Sequence, residues 1–304
     1  MTKNYDIIIV GGGPAGCAAA LFATRSRYQT LLLHRGSSPQ VSDFHWLLPG
    51  LGQTMGATQW LQNLQQESKQ SGVDWMQEEV AQASLGNTVK QIATVSGKSW
   101  EAPVIILAAG CHDRQGLIEG EGQLSGRGVS YNAIQDGFQY KGQPVAIEGK
   151  NEQAVKEALY LSRFVEKVYF IVPAARLEAS GHLLDQVQHN SQIECFFSAS
   201  IKKIEGEKEV SQVDFLSAGA EKKIPVKAVF LYSRIGKPIF EYLKGTVDIS
   251  EQGAVLIDDQ FMTSINGVFA CGDIIAGQPQ MAFVAVAQGL VAGMNAVQYL
   301  LSLR

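Results

Sequence analysis

The feature that most constrains this chain is a glycine-rich loop between an apolar run and a helix-forming run. Residues 6–10 read Asp-Ile-Ile-Ile-Val, and Gly11, Gly13 and Gly16 follow in a Gly-x-Gly-x-x-Gly spacing. The apolar run predicts a strand buried on both faces, and the alanine-rich residues 17–23 predict a helix. Gly11 permits a tight turn, Gly13 has no side chain to block a pyrophosphate, and Gly16 allows close helix–strand packing. The loop therefore predicts a dinucleotide site at a helix N-terminus.

The same unit recurs further along the chain. Gly149 minus Gly11 is 138, and Val172 minus His34 is also 138. A constant offset at both ends of the unit predicts two domains of one fold. The expected fold class is α/β, with two Rossmann-like three-layer dinucleotide-binding domains.

The second copy of the loop is altered at the positions that would face a pyrophosphate. Asn151 carries a side chain where the phosphates would approach the backbone, and Glu148 and Glu152 flank the loop with negative charge that Lys150 offsets only in part. Its second strand runs into Val-Pro-Ala-Ala, with neither an acid for an NAD ribose nor an immediate arginine for an NADP phosphate, and Arg176 is the only nearby cation in the sequence. The pattern indicates a domain that keeps the fold and has lost NAD(P)H binding. The alternative is an unusual mode of NADPH binding.

The first copy departs from the usual pattern at one point. An acidic residue about 20 positions after the glycines usually holds the adenosine ribose. Here the strand ends in His34 and Arg35. Either side chain can donate a hydrogen bond to the ribose or stack on adenine, but recognition by a carboxylate is absent.

Three further segments carry a family resemblance. Residues 102–111 (APVIILAAGC), 263–273 (TSINGVFACGD) and 125–131 (SGRGVSY) resemble segments of low-molecular-weight thioredoxin reductases, in order and over nearly the whole chain. The resemblance implies a discontinuous FAD-binding domain, residues 1–114 and 244–304. Residues 115–243 would form an inserted, degenerate NAD(P)-binding-like domain.

The resemblance also implies FAD as the cofactor and a set of residues that would hold it. Asp273 would bind a ribityl or phosphate-linked hydroxyl, and Gln280-Met281 stands where the family usually has Arg-Gln before the alanine of the last helix. The predicted FAD-binding residues are Gly11, Gly13, Pro14, Ala15, Gly16, His34, Arg35, Gln40, Val80, Ala109, Gly110, Gly272, Asp273, Met281 and Ala282.

The redox-active site of the family is not conserved in this chain. Thioredoxin reductases have Cys-x-x-Cys where this chain has Asn132-Ala-Ile-Gln135. An amide cannot form the mixed disulfide that thiol exchange requires, so the sequence excludes disulfide reduction by the family's mechanism and identifies no catalytic residue of that kind. Asp136 matches the family's proton-donating acid, and a turn or capping role is the alternative.

Composition and charge exclude several other classes of protein. The net charge is −4 and no basic run is present, so the chain lacks the electrostatic pattern of nucleic-acid or anionic-membrane binding. Four widely spaced cysteines indicate neither a disulfide scaffold nor a metal site. We expect that no apolar run of this sequence reaches the roughly 20 residues of a membrane span. We expect a soluble cytoplasmic protein, and the resemblance implies a homodimer.

These observations together predict an FAD-dependent oxidoreductase that exchanges electrons with something other than NADPH and a dithiol. The expected partners are a small electron-transfer protein such as ferredoxin or flavodoxin, a small molecule, or dioxygen. Two alternatives stay open at this point. One is an enzyme of the ferredoxin–NADP reductase type, and the other is a non-enzymatic flavin sensor of redox state or light.

Overall fold

The apolar run at residues 7–10 forms the central strand of a parallel sheet. The computed structural model describes residues 4–36, 57–111, 118–233, 238–251, 253–277 and 281–303. The chain divides into two compact units, one of Met1–Asp113 with Gly236–Arg304 and the other of Arg114–Ile235. The elements are numbered β1–β16 and α1–α7 in chain order.

The first unit contains a five-stranded parallel sheet and a smaller antiparallel one. The parallel sheet has the strand order β16-β7-β1-β2-β3, and the antiparallel sheet has the order β4-β5-β6. The elements are β1 Ile7–Val10, α1 Pro14–Arg25, β2 Thr30–His34, α2 Ala57–Gln70, β3 Asp74–Gln77, β4 Val80–Ser84, β5 Lys90–Thr94, β6 Ser99–Ala102, β7 Val104–Leu107, a 3-10 helix Glu241–Leu243, β16 Val268–Ala270 and α7 Ala282–Ser302.

The second unit repeats this plan, as the constant offset predicts. A parallel sheet of order β11-β10-β9-β15-β8 is accompanied by an antiparallel sheet of order β12-β13-β14. The elements are α3 Glu121–Leu124, β8 Val129–Ser130, α4 Ala133–Asp136, a 3-10 helix Gly137–Tyr140, β9 Pro144–Glu148, α5 Glu152–Leu161, β10 Lys167–Val172, α6 Gly181–Gln188, β11 Ile193–Phe197, β12 Ala199–Glu205, β13 Gln212–Ser217, β14 Ala220–Pro225 and β15 Ala228–Leu231. The predicted fold class is confirmed.

The core of the first unit explains why β1 has no polar face. Ile8 and Val10 belong to one buried cluster, whereas Ile7 and Ile9 belong to the cluster on the opposite face of the sheet. Successive side chains of a strand alternate between faces, so a strand covered on both sides must be apolar throughout. Tyr242 of the 3-10 helix joins the first of these clusters, which places that helix in this unit.

The expectation that no segment has the length and apolarity of a membrane span is corrected by α7. Among the described residues this 21-residue helix is long and apolar enough to cross a membrane, by length and composition only. It packs along α1, and a Cβ atom added to Gly289 would lie 2.1 Å from the carbonyl oxygen of Ala15. The apolarity of α7 therefore matches that of a core helix.

Candidate functional site

The first glycine loop has the tight turn that its spacing predicts. Gly11 adopts φ +122°, and a Cβ atom there would lie 2.0 Å from the Ala108 carbonyl oxygen. The Gly11 N–H donates to the Leu33 carbonyl at 2.8 Å, which attaches the turn to β2. A Cβ atom on Gly16 would lie 1.9 Å from the Gly11 carbonyl oxygen. The loop thus needs glycine at both positions.

Gly13 and the N-terminus of α1 form an anion-binding cradle. Gly13 is the N-cap residue of α1, and no side chain caps the helix. A Cβ atom on Gly13 would have no atom of the described residues within 4 Å. Pro14 lacks an N–H, and no described acceptor binds the first-turn N–H groups of Ala15 and Gly16. Unpaired N–H groups and the helix dipole favour a phosphate here, so the residues fit the pyrophosphate of a dinucleotide.

The turn after β16 lies beside this cradle. Gly272 adopts φ +77°, and a Cβ atom there would lie 2.9 Å from the Cβ of Ala15. The Gly272 N–H donates to the Gln288 side chain of α7 at 2.9 Å. The structure therefore brings Gly272 and α1 together, although they are far apart in sequence.

Asp273 is a half-buried residue whose carboxylate has no hydrogen-bond donor among the described residues. Burial raises the pKa of Asp273 to about 6. Its backbone carbonyl accepts the Cys111 Sγ–H at 3.3 Å, whereas its carboxylate accepts no hydrogen bond from the described side chains or backbone. Such a carboxylate is costly unless a ligand supplies a donor, which the hydroxyl of a ribityl chain would do.

The remaining predicted FAD residues of this unit lie on three of its elements. Ala109 and Gly110 follow β7, and the Ala109 nitrogen would be 2.9 Å from a Cβ atom on Gly11. Val80 begins β4 and is partly buried. Met281 is the N-cap of α7, which starts at Ala282 with no charged residue in its first turn and no side-chain cap. The roles of these residues toward FAD stay predictions.

The adenosine side of the cradle contains two residues that the sequence reasoning did not identify. Trp75 lies on β3, and its indole N–H donates to His34 Nε2 at 2.6 Å. A Cβ atom on Gly12 would lie 3.2 Å from the Trp75 ring. Lys69 of α2 places its ammonium group 4.8 Å from the centre of that ring. The sequence contains a signal for Trp75, because it lies in the strand that follows β2. The pairing of β3 with β2 sets Trp75 beside Leu32.

The state of His34 follows from its two neighbours. Its Nε2 faces the Trp75 N–H and its Nδ1 faces the Gly36 N–H at 3.1 Å. Burial, with a smaller effect of Lys69, lowers the pKa of His34. Arg35 is exposed. Gln40, the remaining predicted residue on this side, lies outside the described residues.

The second glycine loop differs from the first at its helix N-terminus. Asn151 is the N-cap of α5, and its side-chain oxygen accepts the Ala154 N–H at 3.0 Å. Lys150 forms an ion pair with Glu178 at 2.7 Å, and Glu152 pairs with Lys156 at 2.7 Å. Glu148 is buried and accepts the Ile201 N–H at 2.9 Å and the Ser233 hydroxyl.

The segment that the family resemblance aligns with a cysteine pair, residues 132–135, forms a capped turn. The Asn132 side-chain oxygen accepts the Gln135 N–H at 3.0 Å at the start of α4. The Asp136 carboxylate accepts the Ser130 hydroxyl at 2.6 Å. The buried Ala133 N–H donates to the Glu157 carboxylate at 2.6 Å. These contacts give Asn132 a capping role in the turn.

Three of the four cysteines have raised thiol pKa values. Burial raises the pKa values of Cys17 and Cys271 to about 12, and that of Cys195 to about 11. Thiols of this kind are protonated at neutral pH and are weak nucleophiles. In the part of the chain that the structure describes, no group of three His, Cys, Asp or Glu side chains is placed to hold a metal ion.

Comparison with known proteins identifies the family. A family model described as pyridine nucleotide-disulphide oxidoreductase matches residues 5–289. The chain is 30% identical to the thioredoxin reductase of Aquifex aeolicus over 307 residues, which cover 98% of this chain and 94% of that protein. The crystal structure of thioredoxin reductase from Streptococcus pyogenes matches with a TM-score of 0.88 at 28% identity, over 99% of this chain and 100% of that chain.

These matches extend over almost the entire length of the chain, and the family consists of FAD-dependent oxidoreductases. The open cradle at α1 and the half-buried carboxylate of Asp273 fit that cofactor. The chain belongs to the pyridine nucleotide-disulphide oxidoreductase family.

Proposed function

We propose that this chain is an FAD-dependent oxidoreductase that takes electrons from a donor other than NADPH and does not reduce disulfides through a dithiol of its own. The contrast between its two helix N-termini carries the proposal. The first turn of α1 is open beside Gly13, whereas Asn151 caps α5 with its own side chain. One dinucleotide cradle is thus free for a ligand, and the other binds a protein group in the same place.

The cofactor supplies the redox chemistry when it is bound, and the protein positions it. The first-turn N–H groups of α1 would bind the pyrophosphate. The Asp273 carboxylate would accept a hydrogen bond from a hydroxyl of the ribityl chain. The N-terminus of α7 would face the pyrimidine edge of the flavin, where a helix N-terminus favours negative charge.

Charge in the second cradle supports a donor other than NADPH. Glu148 and Glu152 both lie at this loop, and the cation within the loop, Lys150, is already paired with Glu178. A dinucleotide pyrophosphate would have to displace the Asn151 cap and approach these carboxylates. Displacing the cap would leave the Ala154 N–H without its acceptor, and approaching the carboxylates would bring like charges together. Both effects oppose binding.

The turn at α4 supports an acceptor other than a protein disulfide. In the family resemblance, Asn132 and Gln135 stand at the positions of the two cysteines. The turn that they form contains no cysteine. A dithiol relay therefore has no nucleophile at this point. Electrons would pass between FAD and a small electron-transfer protein such as ferredoxin or flavodoxin, a small molecule, or dioxygen.

An anaerobic titration of the purified yellow protein tests the proposal. We expect the flavin absorbance band to persist with NADPH and with NADH, and to be lost on mixing with reduced ferredoxin or flavodoxin. Dithionite serves as the control that the flavin is reducible. Rapid loss of the band at micromolar NADPH would instead support an enzyme of the ferredoxin–NADP reductase type. A flavin that dithionite reduces but that turns over no acceptor would support a sensor.

The family resemblance supports two further parts of the proposal, a homodimer and a cytoplasmic location. Sedimentation of the purified chain measures the first directly. A sedimenting mass near 32.9 kDa, that of a single chain, would contradict it.

A further inference from the structure

His34 stands at the carboxyl end of β2, where dinucleotide folds usually place the acid that binds the adenosine ribose. Its imidazole ring meets an N–H group at each nitrogen. The Trp75 indole N–H points at Nε2 at 2.6 Å, and the Gly36 backbone N–H points at Nδ1 at 3.1 Å. The ring is therefore placed between two donors.

The two contacts of His34 cannot both be hydrogen bonds. A neutral imidazole has one nitrogen that accepts and one that carries a proton, whereas a protonated imidazole has two donors. A protonated ring would oppose both N–H groups, so these contacts require a neutral ring. The contact with Trp75 is the shorter of the two. Nε2 therefore accepts from the indole, and the proton of the ring lies on Nδ1.

Helix α2 favours the same state of the ring. Gln65 donates to the Gly12 carbonyl oxygen at 3.0 Å, which attaches α2 to the glycine loop. One turn further along α2, the Lys69 ammonium group lies 4.8 Å from the centre of the Trp75 ring. Burial, and to a smaller extent the charge of Lys69, lowers the pKa of His34. Both effects oppose a second proton on the imidazole.

The Nδ1 proton has no acceptor among the described residues. His34 is half-buried, and within the described part of the chain its hydrogen-bonding contacts are those with Trp75 and Gly36. A half-buried N–H group without an acceptor costs free energy. The ring also lies at the glycine loop, because a Cβ atom on Gly12 would be 3.0 Å from the His34 Cβ. A dinucleotide in this cradle places its ribose on this side.

We infer that Trp75 holds His34 in the tautomer that donates from Nδ1, and that this N–H binds a hydroxyl oxygen of the adenosine ribose of FAD. A hydroxyl oxygen accepts from Nδ1, which the Gly36 N–H cannot do. The ribose is then recognised by a neutral donor where the usual site has a carboxylate acceptor. His34 contacts the ligand, and Trp75 is a positioning residue. The inference rests on the proposed function, since it states how the same cradle binds FAD.

NMR of the purified full-length protein with FAD bound measures the tautomer, with its five histidines labelled with ¹⁵N. The signals absent from His34→Phe identify His34. We expect a proton on Nδ1 and an unprotonated Nε2. In Trp75→Phe we expect a measurable population with the proton on Nε2, because the indole donor is gone. Trp100→Phe is the matched control, since Trp100 is also half-buried on a strand of the same unit. A proton on Nε2 in the original protein, or a tautomer unchanged by Trp75→Phe, overturns the inference.

Binding measurements test the contact with the ribose. FAD is removed from the full-length chain, and rebinding of FAD is compared with that of an analogue whose adenosine ribose lacks both hydroxyl groups. We expect the original chain to prefer FAD by about threefold to tenfold, the effect of one neutral hydrogen bond. His34→Phe and Trp75→Phe should reduce this preference to within about twofold, whereas Trp100→Phe should retain it. The ratio is informative because a general loss of structure weakens the binding of both ligands alike.

Two results of the binding measurements contradict the inference. One is equal affinity of the original chain for the two ligands, and the other is a preference that neither His34→Phe nor Trp75→Phe reduces. A chain that binds FAD with either result keeps the proposed function and loses the inference alone. A chain that binds neither ligand contradicts both. Loss of the flavin band with NADPH contradicts the proposed electron donor and leaves the measured ribose preference in place.

Discussion

Asp273 links the stability of the cofactor-free chain to pH. Its folded-state pKa of about 6 lies above the ordinary value of 3.8 because the carboxyl group is buried. Between these values the folded state binds more protons than the unfolded state, so the free energy of unfolding falls as pH rises. The fall is at most about 3 kcal/mol for this group. We predict that Asp273→Asn abolishes it and makes the cofactor-free protein more stable at pH 7, while weakening FAD binding.

Urea unfolding of the cofactor-free chain at pH 4 and pH 7 measures this prediction, and dialysis against FAD measures affinity. Asp259→Asn is the control, since it makes the same chemical change at a carboxylate that is exposed. Equal stability of the two variants at pH 7 would show that burial of Asp273 costs nothing measurable.

At the scale of elements, the contact between α1 and α7 supports the cradle from behind. Gly289 of α7 packs so closely on Ala15 that a Cβ atom would lie 2.1 Å from its carbonyl oxygen. A methyl group there must push the helices apart. We predict that Gly289→Ala lowers the free energy of unfolding by about 1–3 kcal/mol, as overpacked cores do, and weakens FAD binding because Ala15 is in the first turn of α1.

The measurements are the urea midpoint and the fraction of FAD retained after gel filtration. Gly122→Ala is the control, because Gly122 is also helical and a Cβ atom there meets no atom within 4 Å. If Gly289→Ala matches the original chain in both measurements, the tight contact with Ala15 does not constrain the cradle.

At the scale of the whole molecule, the proposed function depends on two features of the second unit: the amides Asn132 and Gln135 at the start of α4, and the Asn151 cap on α5. The two can be tested separately by changing only the first. In Asn132→Cys with Gln135→Cys, we expect a pair of thiols that oxidises reversibly, since the two positions share one turn of α4. NADPH-dependent reduction of thioredoxin should stay absent, because Asn151 still caps α5.

Thiol titration before and after oxidation, against the four cysteines of the original chain, measures the first expectation. A coupled assay with NADPH and thioredoxin measures the second, with Asn132→Cys alone as the control. NADPH-dependent turnover by the double variant would show that the second cradle works despite its cap, and would contradict the proposed function.

Much of the fold was predictable from the sequence because its determinants are local. The turn at Gly11 requires positive φ, and β1 must be apolar on both faces, so each leaves a pattern readable over a few residues. The duplication was readable for the same reason. The site was predictable in part, because Gly13 and Asp273 lie in recognisable motifs. Only the structure shows the open space beside Gly13 and the half-buried Asp273 carboxylate with no described donor.

By itself, then, the sequence determined the two-domain dinucleotide fold, the glycine cradle and the absence of a Cys-x-x-Cys motif. Tertiary structure decided what surrounds the cradle. Trp75 and Lys69 reach His34 only because β3 pairs with β2 and α2 packs beside it. Gly272 meets Ala15 through strand order. The reason is physical: backbone restrictions act between neighbours in the chain, whereas the pairing of charges and rings depends on which strands lie side by side.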